Sequence, residues 1–511
     1  MNKFITTPIY YVNDSPHLGH AYTTIACDVM TRYLRQQNHN VKFLTGTDEH
    51  GQKIDKAAKL ANIDTQKFTD LVSQRFKALV KAKIDGVESE NLLNISNDDF
   101  IRTTEERHKI ACKKLWEKLE ENGFIYLDKY AGWYSVRDEA YYQESELING
   151  KAPTGAEVEW LEEESYFFAL SKFGDKLLEF YQANPDFIYP KTRFNEVVSF
   201  VKTGLKDLSI SRTNFSWGVP VPSNPKHIMY VWIDALTNYL TALGYPNETA
   251  PEFKQYWLDG DVFHIVGKDI LRFHAVYWPA FLMAANLPLP KRIIAHGWWT
   301  IEGEKMSKSL GNVIAPRDLI ENYGLDQTRY FLLKAMPFGN DGDLSKEKLV
   351  ETCNADLANN IGNLTQRTLS LIVKNCESKI PEIREFDKII EDNFFEKIDA
   401  EMKDFQFSNA LAIIMEASSK ANEYIDKQAP WSLKKEGKID EMQKVLYSIL
   451  EAIRIIAIAL KPFCPASCEN ILKQLSVNSE NKLQAGIIIS APTPVFKKLE
   501  LKNLNEDVKE F

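Results

Sequence analysis

Two short segments of the chain carry side chains suited to handling phosphate. The first is Pro16-His17-Leu18-Gly19-His20, where a β-rich run gives way to a helical pattern. The first turn of a helix points unsatisfied N–H groups at an anion, with a favourable dipole behind them. His17 and His20, at i and i+3, share one helical face and can donate to phosphate oxygens. Gly19 leaves room for a base or ribose to approach the backbone. The second segment is Gly303-Glu304-Lys305-Met306-Ser307-Lys308-Ser309-Leu310-Gly311. Two lysines and two serines between glycines, after an apolar run, suit a loop that closes over a polyphosphate and stabilises charge on its oxygens. Taken singly, each has a plainer reading: a structural histidine pair and an exposed basic turn.

Other phosphate chemistries are excluded by the glycines. No two of the 23 glycines lie two positions apart, so the GxG core of a dinucleotide fingerprint is missing. Gly46–Gly51 is the nearest approach to a phosphate loop, but it has Gln52 where Lys is needed, and Asp48 and Glu49 would repel phosphate. Hydride transfer and P-loop hydrolysis are therefore set aside.

The elements that must position these segments alternate in the first part of the chain. Strands are expected at Phe4–Ile9 and Val41–Leu44, with helices at Leu18–Arg35, Lys53–Asn62, Thr65–Lys83 and Asp98–Glu121. Such alternation predicts a parallel sheet with helices on its faces. Aromatic-rich runs separated by acidic loops fill 123–214 and read as an insertion. The alternation resumes with strands at Ile228–Trp232, Val262–Val266 and Arg292–Ala295. Helices follow at Asp269–Asn286, bent at Pro279, and at Pro316–Asn322 and Asp326–Met336. Beyond about Ser345, amphipathic helices at Lys346–Lys374, Lys388–Asp404, Ser408–Lys427 and Ile439–Leu460 predict a bundle.

The expected fold class is α/β. A Rossmann-type parallel-sheet domain (1–122 and 215–315) is interrupted by the 123–214 connective insertion. A 316–345 linker and an all-α bundle (346–511) follow. The 511 residues allow about three domains. A net charge of −9 excludes an overall basic nucleic-acid binder but not a local basic track. Six scattered cysteines suggest a reducing compartment rather than a disulfide scaffold. The first residues lack a signal-peptide core, and the most apolar helix, Ile449–Pro462, contains Glu451, Arg454 and Lys461. A cytoplasmic protein without a membrane span is expected.

The two phosphate-handling segments occur together, with HLGH near the N-terminus and KMSKS about 285 residues later. In this the sequence resembles the class I aminoacyl-tRNA synthetases, and among them the methionyl-tRNA synthetase family. The matching segments are Thr7–Asn13, Thr45–Gly51 (TGTDEHG), Phe100–His108 (FIRTTEERH), Val231–Ala235 (VWIDA), Gly267–Ile270 (GKDI) and Phe273-His274. The resemblance implies a ligase that makes methionyl-adenylate from methionine and ATP, then passes the methionyl group to the terminal adenosine of tRNA(Met). It gives His17, Gly19, His20, Gly267, Asp269, Lys305, Ser307 and Lys308 to ATP and the adenylate. Of these, His17, His20, Lys305 and Lys308 would be catalytic, with Mg²⁺ on the polyphosphate. Asp48 would pair with the methionine ammonium. Ile9, Tyr11, Trp232, Ala235, Tyr239, His274 and Trp278 would wall the side chain, aromatic rings suiting a polarisable thioether. Asn359, Asn363 and Arg367, at four-residue spacing, would read anticodon bases, and Trp431 would stack on one. Read alone, Trp232 and Trp278 are core aromatics, and Asn359 and Asn363 are helix-surface residues.

The sequence departs from many relatives in the insertion. Ser135 and Asp138 stand where a Cys-x2-Cys pair is expected, and no cysteine lies between 113 and 352, so no zinc site is expected. Cys464 and Cys468 read as buried helix residues, and Glu162–Glu164 as a solvated face. The chain ends soon after the bundle, which points to a monomer without an appended tRNA-binding domain. Another class I synthetase and a non-catalytic tRNA-binding paralogue stand as alternatives. The first lacks room here for a large editing domain, and the second would have lost HLGH, Asp48 or the loop lysines.

Overall fold

The structure, a computed structural model, describes residues 1–511 except 14, 85, 138–139, 143, 231, 302, 306–313, 384, 479–480, 490 and 502–511. Close contacts divide the chain into two compact units, Met1–Ser15 with Asn38–Ala295, and Pro16–Gln37 with His296–Phe511. The helix that opens with HLGH thus groups with the C-terminal half of the chain.

The first unit is built on a seven-stranded sheet. Its strands run in the order Ile188–Tyr189, Arg292–His296, Asp261–Gly267, Asn2–Thr6, Asn40–Asp48, Tyr10–Tyr11, with Asp99–Arg102 also paired to Asn40–Asp48. The pairings at Asn2–Thr6 and Asn40–Asp48 are parallel. Asn40–Asp48 is buried along most of its length, as expected of a strand covered on both faces. Asn2–Thr6 lies between Asn40–Asp48 and Asp261–Gly267, so the chain leaves it in both directions. Ligands of open α/β sheets bind beyond the carboxyl ends of strands at such a switch point. Asp48 and Gly267 end the two flanking strands. Gly46 is required within this sheet, because a Cβ there would stand 2.1 Å from the Ile101 carbonyl oxygen.

Several elements differ from the sequence reading. The helix expected over Asp98–Glu121 begins only at Glu106, and Asp99–Arg102 is a strand. Phe100 and Ile101 favour extended backbone, and the Asp98 carboxylate accepts from the Phe43 N–H at 2.7 Å, which fixes the entry. Within 123–214, Ile125–Ser135, Ala140–Tyr142, Glu159–Phe168 and Leu208–Ser209 form a four-stranded antiparallel sheet. The same segment also gives Ile188–Tyr189 to the parallel sheet, so it is not wholly separate. Pro279 does not simply bend a helix: a π-helical turn, Phe273–Tyr277, runs into the α-helix Trp278–Ala284, placing proline in its first turn, where its missing N–H costs least.

In the second unit, helix Leu18–Gln36 is buried at Leu18 and from Ala21 to Thr31. Its Asp28 accepts from Arg329 at 2.7 Å, and both side chains are fully buried. Arg329 also donates to the Phe463 and Pro462 carbonyls, and Arg32 donates to Asp28 at 2.7 Å. Satisfied in this way, the buried pair fastens the helix to Leu325–Lys334 and to the turn before Pro465–Gln474. The helix expected over Lys346–Lys374 is continuous but not uniform: α over Lys346–Cys353, π over Asn354–Gly362, and α again over Asn363–Asn375. Phe394–Lys403, Phe407–Gln428, Pro430–Lys435 and Ile439–Leu460 complete the helices around it. Among the described residues no helix is long and apolar enough to cross a membrane.

Candidate active site

Asp48 ends its strand half-buried, its backbone carbonyl accepting from the Val12 N–H at 3.1 Å. Tyr11 lies opposite it in register. The turn that follows is pinned from several sides. Glu49, fully buried, receives a two-pronged ion pair from Arg102 at 2.7 and 2.8 Å, and hydrogen bonds from Thr47 and Thr104. The Trp217 indole donates to the Glu49 carbonyl at 2.6 Å, and Gly51 N–H donates to the Trp217 carbonyl at 3.2 Å. Gly51 has φ +115°, and a Cβ there would meet the Tyr11 hydroxyl at 2.9 Å, so glycine is demanded by conformation and space together.

A ring cluster lies in the same unit. Trp232 caps helix Ile233–Thr241 in the left-handed region, with φ 66°, and stacks on Phe273 at 4.1 Å. His274 meets Trp232 edge-on at 6.1 Å, and its Nε2 lies 2.7 Å from the Tyr239 hydroxyl. Its Nδ1 lies 3.0 Å from the Ile270 carbonyl, which can only accept. The proton therefore sits on Nδ1, and Nε2 accepts from Tyr239. Burial holds the His274 pKa down to about 4, so this tautomer is neutral near pH 7. Tyr239 also stacks on His264 at 4.1 Å and lies 6.1 Å from Trp278, which is fully buried. Ala235 and Ile9 are buried in the same core. Gly267 ends its strand half-buried, and Asp269, exposed, lies in the 3₁₀ turn Lys268–Ile270 that follows.

The histidine pair lies in the second unit. His17 caps helix Leu18–Gln36, its Nδ1 accepting from the Gly19 N–H at 3.1 Å. His20 Nδ1 accepts in return from the His17 N–H at 3.1 Å, making a reciprocal capping box from two histidines. Because both Nδ1 atoms accept, each neutral ring carries its proton on Nε2. Burial and the neighbouring His17 lower the His20 pKa well below its ordinary value. The space over Gly19 is taken by the His17 ring, 3.0 Å from where a Cβ would stand. That differs from the expected room for a base or ribose. Gly303, with φ +81°, turns strand Trp299–Ile301 back onto Glu304–Lys305, whose Lys305 pairs with Thr300, and its N–H donates to Asp343 at 2.7 Å. Ser307 and Lys308 lie outside the described residues, as does Asp138.

On the helical face, Asn359 and Asn363 are exposed. They straddle the junction where the π segment returns to α. The Arg367 guanidinium lies 5.6 Å from the exposed Trp431 ring and pairs with Asp426 at 2.7 Å. Cys464 and Cys468 are fully buried, and burial raises both thiols; Cys468 lies on helix Pro465–Gln474 as expected, whereas Cys464 caps it from the preceding turn.

Sequence reasoning missed Phe273 and His264 as ring partners and Glu49–Arg102 as the clamp behind Asp48. It also missed a buried network of His50, His108, Cys112 and Asp234. His50, Arg102, His108 and Asp234 all lie inside the motif segments TGTDEHG, FIRTTEERH and VWIDA, which was the available signal.

Comparison with known proteins bears on the whole chain. The family model for tRNA synthetases class I (M) matches residues 3–159 and 144–369, and that for the anticodon-binding domain of tRNA ligase matches 392–511. The methionine–tRNA ligase of Rickettsia felis is 53% identical, over 97% of this chain and 98% of its own length. That of Brucella suis is 50% identical, over 97% of each. The solved structure of Mycobacterium tuberculosis methionyl-tRNA synthetase in complex with methionyl-adenylate is 45% identical. It superposes with a TM-score of 0.91 over 97% of this chain and 99% of that one. The chain belongs to the methionine–tRNA ligases, the methionyl-tRNA synthetase family of class I aminoacyl-tRNA synthetases.

Proposed function

We propose how the residues of this methionine–tRNA ligase divide its two-step reaction. Methionine binds with its ammonium on Asp48, a carboxylate at the end of a parallel strand. Its thioether lies among Trp232, Tyr239, His274 and Trp278, with Ile9, Tyr11 and Ala235 completing the wall. The observation that carries this reading is the neutral His274, whose Nε2 fixes the Tyr239 hydroxyl at 2.7 Å within a ring cluster. Polarisable faces with few polar atoms accept a thioether and reject a charged side chain.

ATP enters as its Mg²⁺ complex, the ion travelling with the substrate. His17 and His20 donate from Nε2 to phosphate oxygens, the tautomer that their capping role imposes. Gly267 allows the ribose close to the backbone, and Asp269 accepts its hydroxyls. The methionine carboxylate attacks the α-phosphorus and pyrophosphate leaves. Lys305 and Lys308 stabilise the added charge, and Ser307 supports the phosphates. No covalent enzyme intermediate is needed, since the substrate is itself the nucleophile and positioning and electrostatics lower the barrier. The terminal adenosine of tRNA(Met) then takes the methionyl group and AMP leaves. Asn359, Asn363 and Arg367 read anticodon base edges, and Trp431 stacks on a base. The same reading assigns a zinc-free insertion, a monomer and a cytoplasmic location.

Equilibrium binding tests the pocket. Methionine should change the tryptophan fluorescence of the protein saturably, and Trp232→Phe should remove part of that change. Equal responses to leucine and methionine would contradict the assignment.

A further inference from the structure

Asp234 has no part in the roles assigned above, yet it is buried and accepts from two histidines on different elements. His50 Nδ1 lies 2.7 Å from one carboxylate oxygen and His108 Nε2 lies 2.8 Å from the other. The Cys112 thiol lies 3.6 Å from the Asp234 backbone carbonyl and 3.6 Å from the oxygen that His108 meets. His108, Cys112 and Asp234 have the donor types of a metal site. The 2.8 Å gap between Nε2 and Oδ1 is, however, that of a hydrogen bond. Ligand atoms held about 2 Å from one tetrahedral ion stand farther apart than that. The cluster is a proton-linked network.

Its position gives it a use. Asp234 follows Trp232 by two residues, in the first turn of the helix that also carries Ala235 and Tyr239. His50 follows Asp48 by two residues, and its N–H approaches the Asp48 Oδ1 at 3.5 Å. A tryptophan with φ 66° is uncommon and persists only where its surroundings over-determine it. The buried carboxylate fastens the first turn of that helix to His50 and His108, while Phe273 stacks on the Trp232 ring. One carboxylate thus ties the turn bearing the ammonium-binding Asp48 to the wall bearing Trp232, with His108 and Cys112 on helix Glu106–Glu121 as the anchor.

We propose that Asp234 is a positioning residue for methionine, fixing the distance between the Asp48 carboxylate and the Trp232 wall through its hydrogen bonds to His50 and His108. This rests on the assignment of Asp48 and Trp232 to methionine.

The test is ATP–pyrophosphate exchange with methionine and ATP varied separately, on wild type, Asp234→Asn, His50→Leu and His50→Asn. The Asp234→Asn variant would turn an amide donor toward one histidine N–H in place of a carboxylate oxygen. In His50→Leu the donor to Asp234 is gone, whereas in His50→Asn a side-chain amide can take the place of Nδ1. Asp234→Asn and His50→Leu should each raise the methionine KM about tenfold or more, with the ATP KM within about twofold. His50→Asn should restore the methionine KM to near wild type. A merely structural role would lower stability and the amount of active enzyme without splitting the two KM values or responding to the amide. His50→Leu with a wild-type methionine KM would overturn the proposal, whether or not Asp234→Asn folds. So would a stoichiometric zinc lost in Cys112→Ser. Failure of wild type itself to exchange with methionine would instead overturn the assignment of the pocket.

Discussion

Tyr239 and His274 share a proton whose place is set by the Ile270 carbonyl, which only a donor at Nδ1 can satisfy. Tyr239→Phe keeps the ring but leaves a buried nitrogen without its donor, which costs about 1–3 kcal/mol. That cost falls on folding, so urea unfolding should report a loss of about that size, and an unchanged stability would show that the hydroxyl is idle. The same histidine makes a pH prediction. Its pKa, ordinarily 6.5, is held down to about 4 by burial, so between those values the unfolded chain binds more protons than the folded one. Its contribution to stability is therefore full above 6.5 and lost as pH falls toward 4, by up to about 3 kcal/mol. His264 and His20 are also lowered and act in the same sense. His50 acts in the opposite sense. Burial opposes its protonation, but Asp234, Asp48 and Glu49 outweigh burial and raise its pKa, so its contribution is lost as pH rises. Urea midpoints should fall from pH 6.5 to 4.5, and His274→Gln should flatten that slope. A flat wild-type profile would contradict the buried neutral histidine. Of these residues, His274 lay in a quoted motif and Tyr239 came only with the family resemblance, while His50, His108 and Asp234 lay in motifs without any sign that they meet. The sequence concealed His264, which reads as one more apolar-strand residue, and the Asp234 network, whose members are up to 184 positions apart.

Elements carry two further expectations. Helix Leu18–Gln36 is fastened by the fully buried Asp28–Arg329 pair. Arg329→Met strands a buried carboxylate and should cost about 3–5 kcal/mol in urea unfolding, whereas an exposed pair such as Arg317–Glu321 should cost under about 1. A small loss at Arg329 would mean that Arg32 alone holds Asp28. On the helical face, Trp431→Ala should lower kcat/KM for tRNA aminoacylation by the roughly 1–3 kcal/mol of a lost stack while leaving methionine-dependent exchange near wild type. Equal losses in both assays would contradict an anticodon role. The helices of this unit were legible because amphipathic periodicity over long stretches is a strong signal. The π segment Asn354–Gly362 was not, since i to i+5 bonding leaves no residue pattern of its own. Strand Asp99–Arg102 was hidden for another reason: the periodicity of the helix that follows was read back through it, although Phe100 and Ile101 favour extended backbone and pairing with Asn40–Asp48 fixes it.

For the whole molecule, 71 acidic against 62 basic residues set a net charge of −9, so tRNA must be met by local charge. Lys434 and Lys435 close the short helix that contains Trp431. Raising salt from 50 to 200 mM should therefore weaken the tRNA KM strongly and the methionine KM little, because only the first releases counterions from a phosphate backbone. The overall class was legible because two short motifs far apart specify one chemistry, while the grouping of helix Leu18–Gln36 with the C-terminal half depends on contacts no local pattern reports. The most direct single measurement is ATP–pyrophosphate exchange across the twenty amino acids in the absence of tRNA. Methionine alone should drive strong exchange, through Asp48 and the ring cluster of Trp232, Tyr239, His274 and Trp278. Strong exchange with a different amino acid, or none from folded protein with Mg²⁺, would contradict the assigned pocket and chemistry.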